Sequence, residues 1–397
     1  MAATVVTARG KGALLLDSHP GGCRRTVEEA AAETWDGPTP GRAPRVLIIG
    51  CSAGYGSALT AAGIAGPGVT GMGLALERPG NARRTASPGW YRVAATADLA
   101  RERGTAFEFV NGDCFSAGTK AAVLDRFAER FGQIDHLVYS VAAPRRTDHD
   151  GATFASVIKP RGEAHGTYLM DFDAERPALR RVEIAPATGD EIAATTKVMG
   201  GEDWALWVAE AASRGLLAEG ASTVALSYLG SELTAPIYRH GTIGAAKDDL
   251  EATAARLTAS ALAGVGGRAV VSVNGAAVTQ ASTAIPGIGL YVSLLRGVLG
   301  EGMQSPARQA SRMWAHLLGG AELATDELGR IRVDDWEFAP GVQDAVRAAW
   351  DGAVTAGEVP AAEAAWFLDQ VHRLYGFAVD GVDYALPVET DVAWPEA

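Results

Sequence analysis

Two side chains in the stretch TAPIYRHGTIGAAKDDL can act as an acid pair, Tyr238 and Lys247. A lysine ammonium stabilises negative charge developing on a phenol and can also hold a ribose hydroxyl. Such a pair suits donation to a reacting oxygen. The spacing constrains the backbone. Nine helical residues turn through about 900° and rise about 13.5 Å, which puts the two on opposite faces of one helix. Tyr238 is therefore expected on an irregular approach, with a helix beginning after Gly241. Pro236, Gly241 and Gly244 agree with a broken backbone there. The alternative is a packed tyrosine and a solvent-facing lysine. Tyr228, in SYLG at the end of a predicted strand, can touch the same substrate or serve as a core tyrosine.

A second constellation is Gly50-Cys51-Ser52-Ala53-Gly54-Tyr55-Gly56, directly after RVLII and before a run of small helical residues. Glycines there permit a tight turn and bring backbone N–H groups close to a diphosphate, while the following helix presents its positive end. The spacing G-x-x-x-G-x-G differs from the G-x-G-x-x-G fingerprint, but the strand–turn–helix context points to a dinucleotide. The alternative is a small-residue turn that only packs tightly. Glu77 lies 27 residues beyond Gly50, after GMGLAL. A carboxylate at that strand end accepts hydrogen bonds from the adenine-ribose hydroxyls and repels a 2′-phosphate, favouring NADH over NADPH. Arg78, Arg83 and Arg84 act against that preference, and an ordinary surface carboxylate is the alternative. Asp113 can face the adenine amino group, and Ser140, Val141 and Ala142 can line the cleft. Thr279, Ser282 and Thr283 offer hydroxyls near the nicotinamide or, alternatively, cap a turn. Cys51 reads as a small filler rather than a nucleophile. The seven histidines show no metal-ligand spacing, and no metal is expected.

These residues need a scaffold that gathers strand ends. RVLIIG (45–50), VTGMGLAL (69–76), FEFVNGD (107–113), IDHLVYSVAA (134–143), TVALSYL (223–229) and RAVVSVNGAAV (268–278) read as buried strands. Helices are read at 121–132, from near Thr242, and at 287–300. The alternation predicts an α/β fold, a Rossmann-like doubly wound parallel sheet with large insertions and extra helices. Residues 1–44 form an N-terminal extension with one helix after a Thr26 cap. Residues 45–302 form the cofactor-binding and catalytic core, including a turn-rich, partly helical insertion at 144–222 on the substrate side. Residues 303–397 form a helical section, subordinate to the main body, with an extended tail.

The 397 residues carry 35 Lys and Arg against 47 Asp and Glu, a formal charge of −12, which argues against nucleic-acid partners. Three scattered cysteines, Cys23, Cys51 and Cys114, do not make a disulfide scaffold and suit a reducing compartment. The N-terminus lacks the apolar core of a secretory signal, and the apolar stretch 46–76 is broken by glycines and Pro67. A cytoplasmic protein without stable membrane insertion is expected.

Several blocks are specific enough to carry a family resemblance: SHPGGC (18–23), RVLIIGCSAGYG (45–56), ERPG (77–80), NGDCFS (111–116), DHLVYSVAAPRRT (135–147), SYLGSELTAPIY (227–238) and VTQASTAIPGIGLY (278–291). The chain resembles the trans-2-enoyl-CoA reductase and FabV-type enoyl-acyl-carrier-protein reductase family, enlarged relatives of the short-chain dehydrogenases. The resemblance implies a monomeric or weakly associating NADH-dependent enzyme. Its substrates would be trans-2-enoyl thioesters on CoA or acyl-carrier protein, and hydride would go to the β-carbon. It also implies that Tyr238 and Lys247 are the family's Y-x8-K pair, supporting the enolate, with Tyr228 orienting the thioester. Cys51 and Ala53 depart from the family's usual G-A-S-T-G-Y-G, and Met303 stands where a threonine is usual. The C-terminal section resembles one labelled flavin-binding in the family, yet no sequence feature demands FAD. Alternatives are a reductase of a specialised polyenoyl acceptor, a carbonyl–alcohol dehydrogenase and a non-catalytic NADH-binding protein. Arg145, Arg146, Lys159 and Arg161 are candidates for a CoA phosphate or a carrier protein, or simply surface charges.

Overall fold

The computed structural model describes residues 3–12, 14–171, 177–320 and 322–395. A short hairpin, β1 (Gly10–Lys11) with β2 (Leu14–Leu15), precedes α1 (Pro20–Ala31). The chain then alternates through β3 (Arg45–Ile49), α2 (Gly54–Ala65), β4 (Thr70–Ala75), α3 (Pro88–Glu102), β5 (Phe107–Asn111), α4 (Ala117–Phe131) and β6 (Ile134–Tyr139). Two antiparallel pairs follow, β7 (Arg145–Thr147) with β8 (Thr153–Ala155) and β9 (His165–Asp171) with β10 (Ala178–Ile184). After α5 (Gly189–Met199) and α6 (Glu202–Ser213) come β11 (Leu217–Ser227), α7 (Thr242–Ala259), β12 (Arg268–Val273), α8 (Ile288–Leu299) and α9 (Pro306–Leu317). β13 (Ile331–Arg332), α10 (Val342–Ala356) and α11 (Ala361–Arg373) complete the order.

Seven parallel strands form one sheet in the order β13-β12-β11-β6-β3-β4-β5. The direction of winding reverses between β3 and β6, where Val46 lies opposite His136 and Ile49 opposite Tyr139. Side chains of β3 alternate between two fully buried layers, as a parallel sheet covered on both faces requires. Leu47 and Ile49 pack with Phe127, Trp204, Trp207 and Leu250 from α4, α6 and α7. Val46 and Ile48 pack with Leu59, Val93, Met313 and Trp314 from α2, α3 and α9. A third cluster, built on α8, α10 and α11, holds Tyr238 and Trp336 and buttresses the carboxyl ends of β11 and β12.

Three expectations are corrected. The first long helix begins at Pro20, not after Thr26. Proline suits the first helical position, and the His19 imidazole caps it by accepting the Gly22 N–H at 3.1 Å. Thr26 instead donates back to the Cys23 carbonyl at 2.8 Å, within the helix. The turn-rich reading of 144–222 overlooked two antiparallel pairs, because His165–Asp171 and Ala178–Ile184 mix charge and glycine with only weak alternation. The section after 303 is not merely subordinate, since β13 adds the seventh strand beside β12, with Ile331 opposite Ser272. Among the described residues no helix is long and apolar enough to cross a membrane.

Candidate active site

Open α/β sheets bind ligands beyond the carboxyl ends of their strands, where the winding reverses. Here that point is the pair of loops after β3 and β6, joined by the Ser140 N–H donating to the Ile49 carbonyl at 2.8 Å. Gly50 has φ +88°, and a Cβ there would lie 2.1 Å from the Ser140 carbonyl oxygen. Gly56 brings α2 down onto the turn, where a Cβ would sit 1.9 Å from the Gly50 oxygen. Ala53 caps α2 without a side-chain hydrogen bond, which leaves first-turn N–H groups for an anion.

The turn forms one wall of a cleft of about 600 Å³. Gly50, Ser52, Gly54 and Tyr55 line it from the turn, and Glu77 and Asp113 from the ends of β4 and β5. Ser140, Val141 and Ala142 line it after β6, and Thr279 closes it from the loop after β12. Cys51 is the exception, because its buried side chain faces Gly73 and the apolar core. Burial pushes its thiol well up, so it is an inert filler and offers the cleft only backbone. Ser282 lies on the adjoining pocket, where its hydroxyl donates to the Ala277 carbonyl at 2.8 Å and accepts the Thr279 N–H at 2.8 Å. The capping alternative therefore holds for Ser282. Thr283 likewise donates to the Gln280 carbonyl at 3.0 Å.

Glu77 is held by four contacts. Ser52 Oγ donates to Oε1 at 2.6 Å and Ser87 Oγ donates to Oε2. Its backbone N–H and carbonyl pair with the Asn111 side chain at 2.8 and 3.0 Å. Arg83 and Arg84 line a separate surface hollow with Arg9, away from the cleft. Of the four other basic candidates, Arg145 lines the cleft. Arg146 is buried on Asp148 and Glu202, Lys159 pairs with Glu191 at 2.5 Å, and Arg161 donates to the His240 carbonyl at 3.0 Å. Arg146 is thus structural rather than a docking residue.

Beyond Tyr55, Ser140–Ala142 and Thr279 the cleft meets a smaller, mostly apolar pocket of about 160 Å³, lined by Tyr228, Tyr238 and Lys247. Tyr238 sits on an irregular turn, with its carbonyl accepting the N–H of Gly241 at 3.1 Å and of Gly244 at 2.9 Å. α7 starts at Thr242, capped by Gly241, so the nine-residue spacing brings both side chains to one pocket. Burial pushes the Tyr238 phenol up, against a smaller pull from Arg239. Burial pushes the Lys247 amine down to about 8, against an opposing contribution from Glu251. Its Nζ donates to the Leu226 carbonyl at 3.4 Å. The Tyr228 ring meets Tyr238 edge-on, with centroids 5.2 Å apart at 63°. Ser227 Oγ is buried at this pocket without a protein hydrogen-bond partner.

Sequence reasoning missed Glu337. It is fully buried and accepts from Tyr291 Oη at 2.6 Å, Tyr228 Oη at 3.2 Å and the Ala276 N–H at 2.6 Å. Nothing in DDWEF separates it from its acidic neighbours. The apolar wall from Ile158, Met199, Ile243, Ile285 and Ile288 was missed too, since it is assembled from four separate segments.

Three family models match consecutive parts of the chain. They are the NAD(P)H binding domain of trans-2-enoyl-CoA reductase at residues 5–82, the trans-2-enoyl-CoA reductase catalytic region at 84–318, and the enoyl reductase FAD binding domain at 325–388. The enoyl-acyl-carrier-protein reductase (NADH) of Streptomyces avermitilis is 53% identical over 98% of this chain and 99% of its own. The chain belongs to the trans-2-enoyl-CoA and enoyl-acyl-carrier-protein reductase family. Two solved trans-2-enoyl-CoA reductases of that family share the fold along its length. One, from a Clostridium species with NADH, has a TM-score of 0.90 at 34% identity, covering 98% of each chain. The other, from Treponema denticola with NAD, has a TM-score of 0.88 at 36% identity, covering 98% of this chain and 100% of that one.

The name of the 325–388 family model implies a flavin. Val346, Trp350, Phe367 and Val371 of that segment are buried against Tyr291 and Leu294 of α8. That face is closed by protein side chains, whereas Trp366, Gln370 and Arg373 of the same segment line an open cleft of about 620 Å³. A nicotinamide dinucleotide fits the cleft at the glycine turn. The glycine turn leaves a cradle that a Cβ would fill, and Glu77 stands at its far end.

Proposed function

We propose that this reductase uses Tyr238 and Lys247 to reduce the α,β double bond of trans-2-enoyl thioesters, carried on CoA or acyl-carrier protein, with NADH. The observation that carries the reading is the shared wall. The cleft that fits a dinucleotide and the Tyr238–Lys247 pocket meet along Tyr55, Ser140–Ala142 and Thr279. NADH, when bound, supplies the hydride that adds to the β-carbon. The turn N–H groups from Gly50 to Gly56 would hold its diphosphate, Glu77 its adenine ribose, and Asp113 its adenine.

Charge then gathers on the thioester oxygen as an enolate. Tyr238 donates a hydrogen bond to that oxygen, in a pocket whose low polarity strengthens it. Lys247, charged near neutrality, stabilises the phenol as it gives up its proton and binds the nicotinamide ribose. Tyr228 orients the thioester, and the isoleucines with Met199 exclude water. The proton given up by Tyr238 ends on the α-carbon, and the phenol recovers a proton from solvent after the product leaves. We assign the enzyme to the cytoplasm, because its three cysteines are unpaired and a reducing compartment keeps them so.

The test is NADH consumption with crotonyl-CoA and a longer trans-2-enoyl-CoA, with NADPH in parallel. NADH-linked turnover on the thioesters is the expected result. NADH binding without turnover on either would move the acceptor to an acyl-carrier-protein thioester, and no turnover on that as well would overturn the thioester assignment.

A further inference from the structure

Three donors converge on the Glu337 carboxylate, and two of them are committed. The Ala276 N–H meets Oε2 at 2.6 Å. Tyr291 Oη accepts from Gln343 Nε2 at 3.1 Å, so its own proton goes to Oε1, 2.6 Å away. Gln343 is fixed in turn by donating to the Glu337 carbonyl at 2.8 Å. Tyr228 is the third donor, shares Oε1 with Tyr291, and has the long contact of 3.2 Å. Its ring lines the acyl pocket and rests against Tyr238. Of the three, Tyr228 alone can turn its proton into the acyl pocket.

We propose that Glu337 is a positioning residue for the reduction, acting through Tyr228: the carboxylate draws the Tyr228 O–H into the wall, and the neutral carboxyl releases it to the thioester oxygen. This rests on the enoyl-thioester reading above. With Glu337 ionised, Oε1 accepts from both tyrosines. With a proton on Oε1, the carboxyl donates to Tyr228 Oη, and the phenolic O–H turns to the pocket. The groups facing Glu337 are Tyr291 from α8, Tyr55 from α2, Tyr228 after β11, and Asp334 on its own segment, itself paired with Arg332. Burial, with a further push from Asp334, raises the Glu337 carboxyl to about 7, where the two forms interchange near neutrality.

Glu337→Gln tests the idea cleanly. Its amide oxygen still accepts the Ala276 N–H, so its NH2 takes the place of Oε1 between the two tyrosines, holding the Tyr228 O–H outward at every pH while the Tyr291 proton turns to Ser231. Wild-type kcat/KM for crotonyl-CoA is expected to fall through two inflections as pH rises, one near 7 and one near 8. Glu337→Gln removes the lower inflection and keeps the upper. Above pH 7 it exceeds wild type by about threefold to tenfold, mainly through KM, the worth of one hydrogen bond. Tyr228→Phe, with Glu337 intact, also removes the lower inflection and guards against misfolding of the first variant. Persistence of that inflection in either variant overturns the proposal, as does a further KM change from Glu337→Gln in a Tyr228→Phe background. Failure of the wild type to reduce either crotonyl-CoA or a crotonyl-acyl-carrier protein at any pH overturns the reductase reading together with this proposal. A working wild type with an unaltered Glu337→Gln profile overturns this proposal alone.

Discussion

Ser52 Oγ donates to Glu77 Oε1 at 2.6 Å and so ties the glycine turn to the end of β4. With Ser87 Oγ donating to Oε2, the contact fixes both carboxylate oxygens of Glu77 beside the cleft. Glu77→Ala should raise the KM for NADH about tenfold, the worth of one charge-assisted hydrogen bond, and narrow the preference over NADPH. Initial rates with both cofactors, with kcat for NADH little altered, check this. An unchanged NADH-to-NADPH ratio would remove Glu77 from cofactor recognition.

Tyr238→Phe removes only a hydroxyl from a buried ring. Turnover on an enoyl thioester should drop by about 10²–10⁴, the usual worth of a positioned acid, while the NADH dissociation constant stays within about twofold. Fluorescence titration beside steady-state kinetics separates the two, and a variant with near-normal turnover would exclude Tyr238 as the donor.

Lys247 couples activity to stability in opposite senses. Its folded value, about 8, lies below the ordinary amine value of 10.5, so the unfolded chain binds the extra proton between these limits. Stability contributed at this site therefore rises as pH climbs from 8 to 10.5, and the cost of burying the ammonium is fully present below 8. Lys247→Met should be inactive yet more stable at pH 7 by about 1–3 kcal/mol, a gain that fades toward pH 10. Denaturant unfolding of both proteins across that range tests the sign.

Lys120 Nζ meets Asp203 Oδ1 at 2.6 Å with both side chains buried, and Tyr139 Oη donates to Asp203 Oδ2 at 3.1 Å. Lys120→Met strands a buried carboxylate and should cost about 3–5 kcal/mol, whereas adding Asp203→Leu should recover most of that loss. Thermal melts of the two variants decide it. Equal melting temperatures would mean the pair is not coupled.

The parallel sheet was legible because RVLII and IDHLVY are buried on both faces and need no partner pattern beyond their own composition. The irregular approach to α7 was legible too, since a half-turn mismatch between Tyr238 and Lys247 leaves a broken backbone as the way to unite them. Glu77 and the Ser140–Ala142 loop followed from strand order. Glu337 did not, because its significance comes from three donors separated from it by 46 to 109 positions in sequence. The hairpin β9–β10 escaped for a related reason, with half-exposed strands that carry no sharp apolar alternation. Cys51 and Ser282 show the limit at single residues, since a place in a binding loop does not decide which way a side chain points.

The seventh strand has a consequence for the order in which the enzyme becomes competent. β13 contributes only Ile331 and Arg332 to the sheet, yet Glu337 follows five residues later and anchors Tyr228 and Ala276. On the ribosome the nucleotide turn is complete long before that acid emerges. A nascent chain can thus acquire a cradle for the coenzyme while its acyl wall is still unbraced.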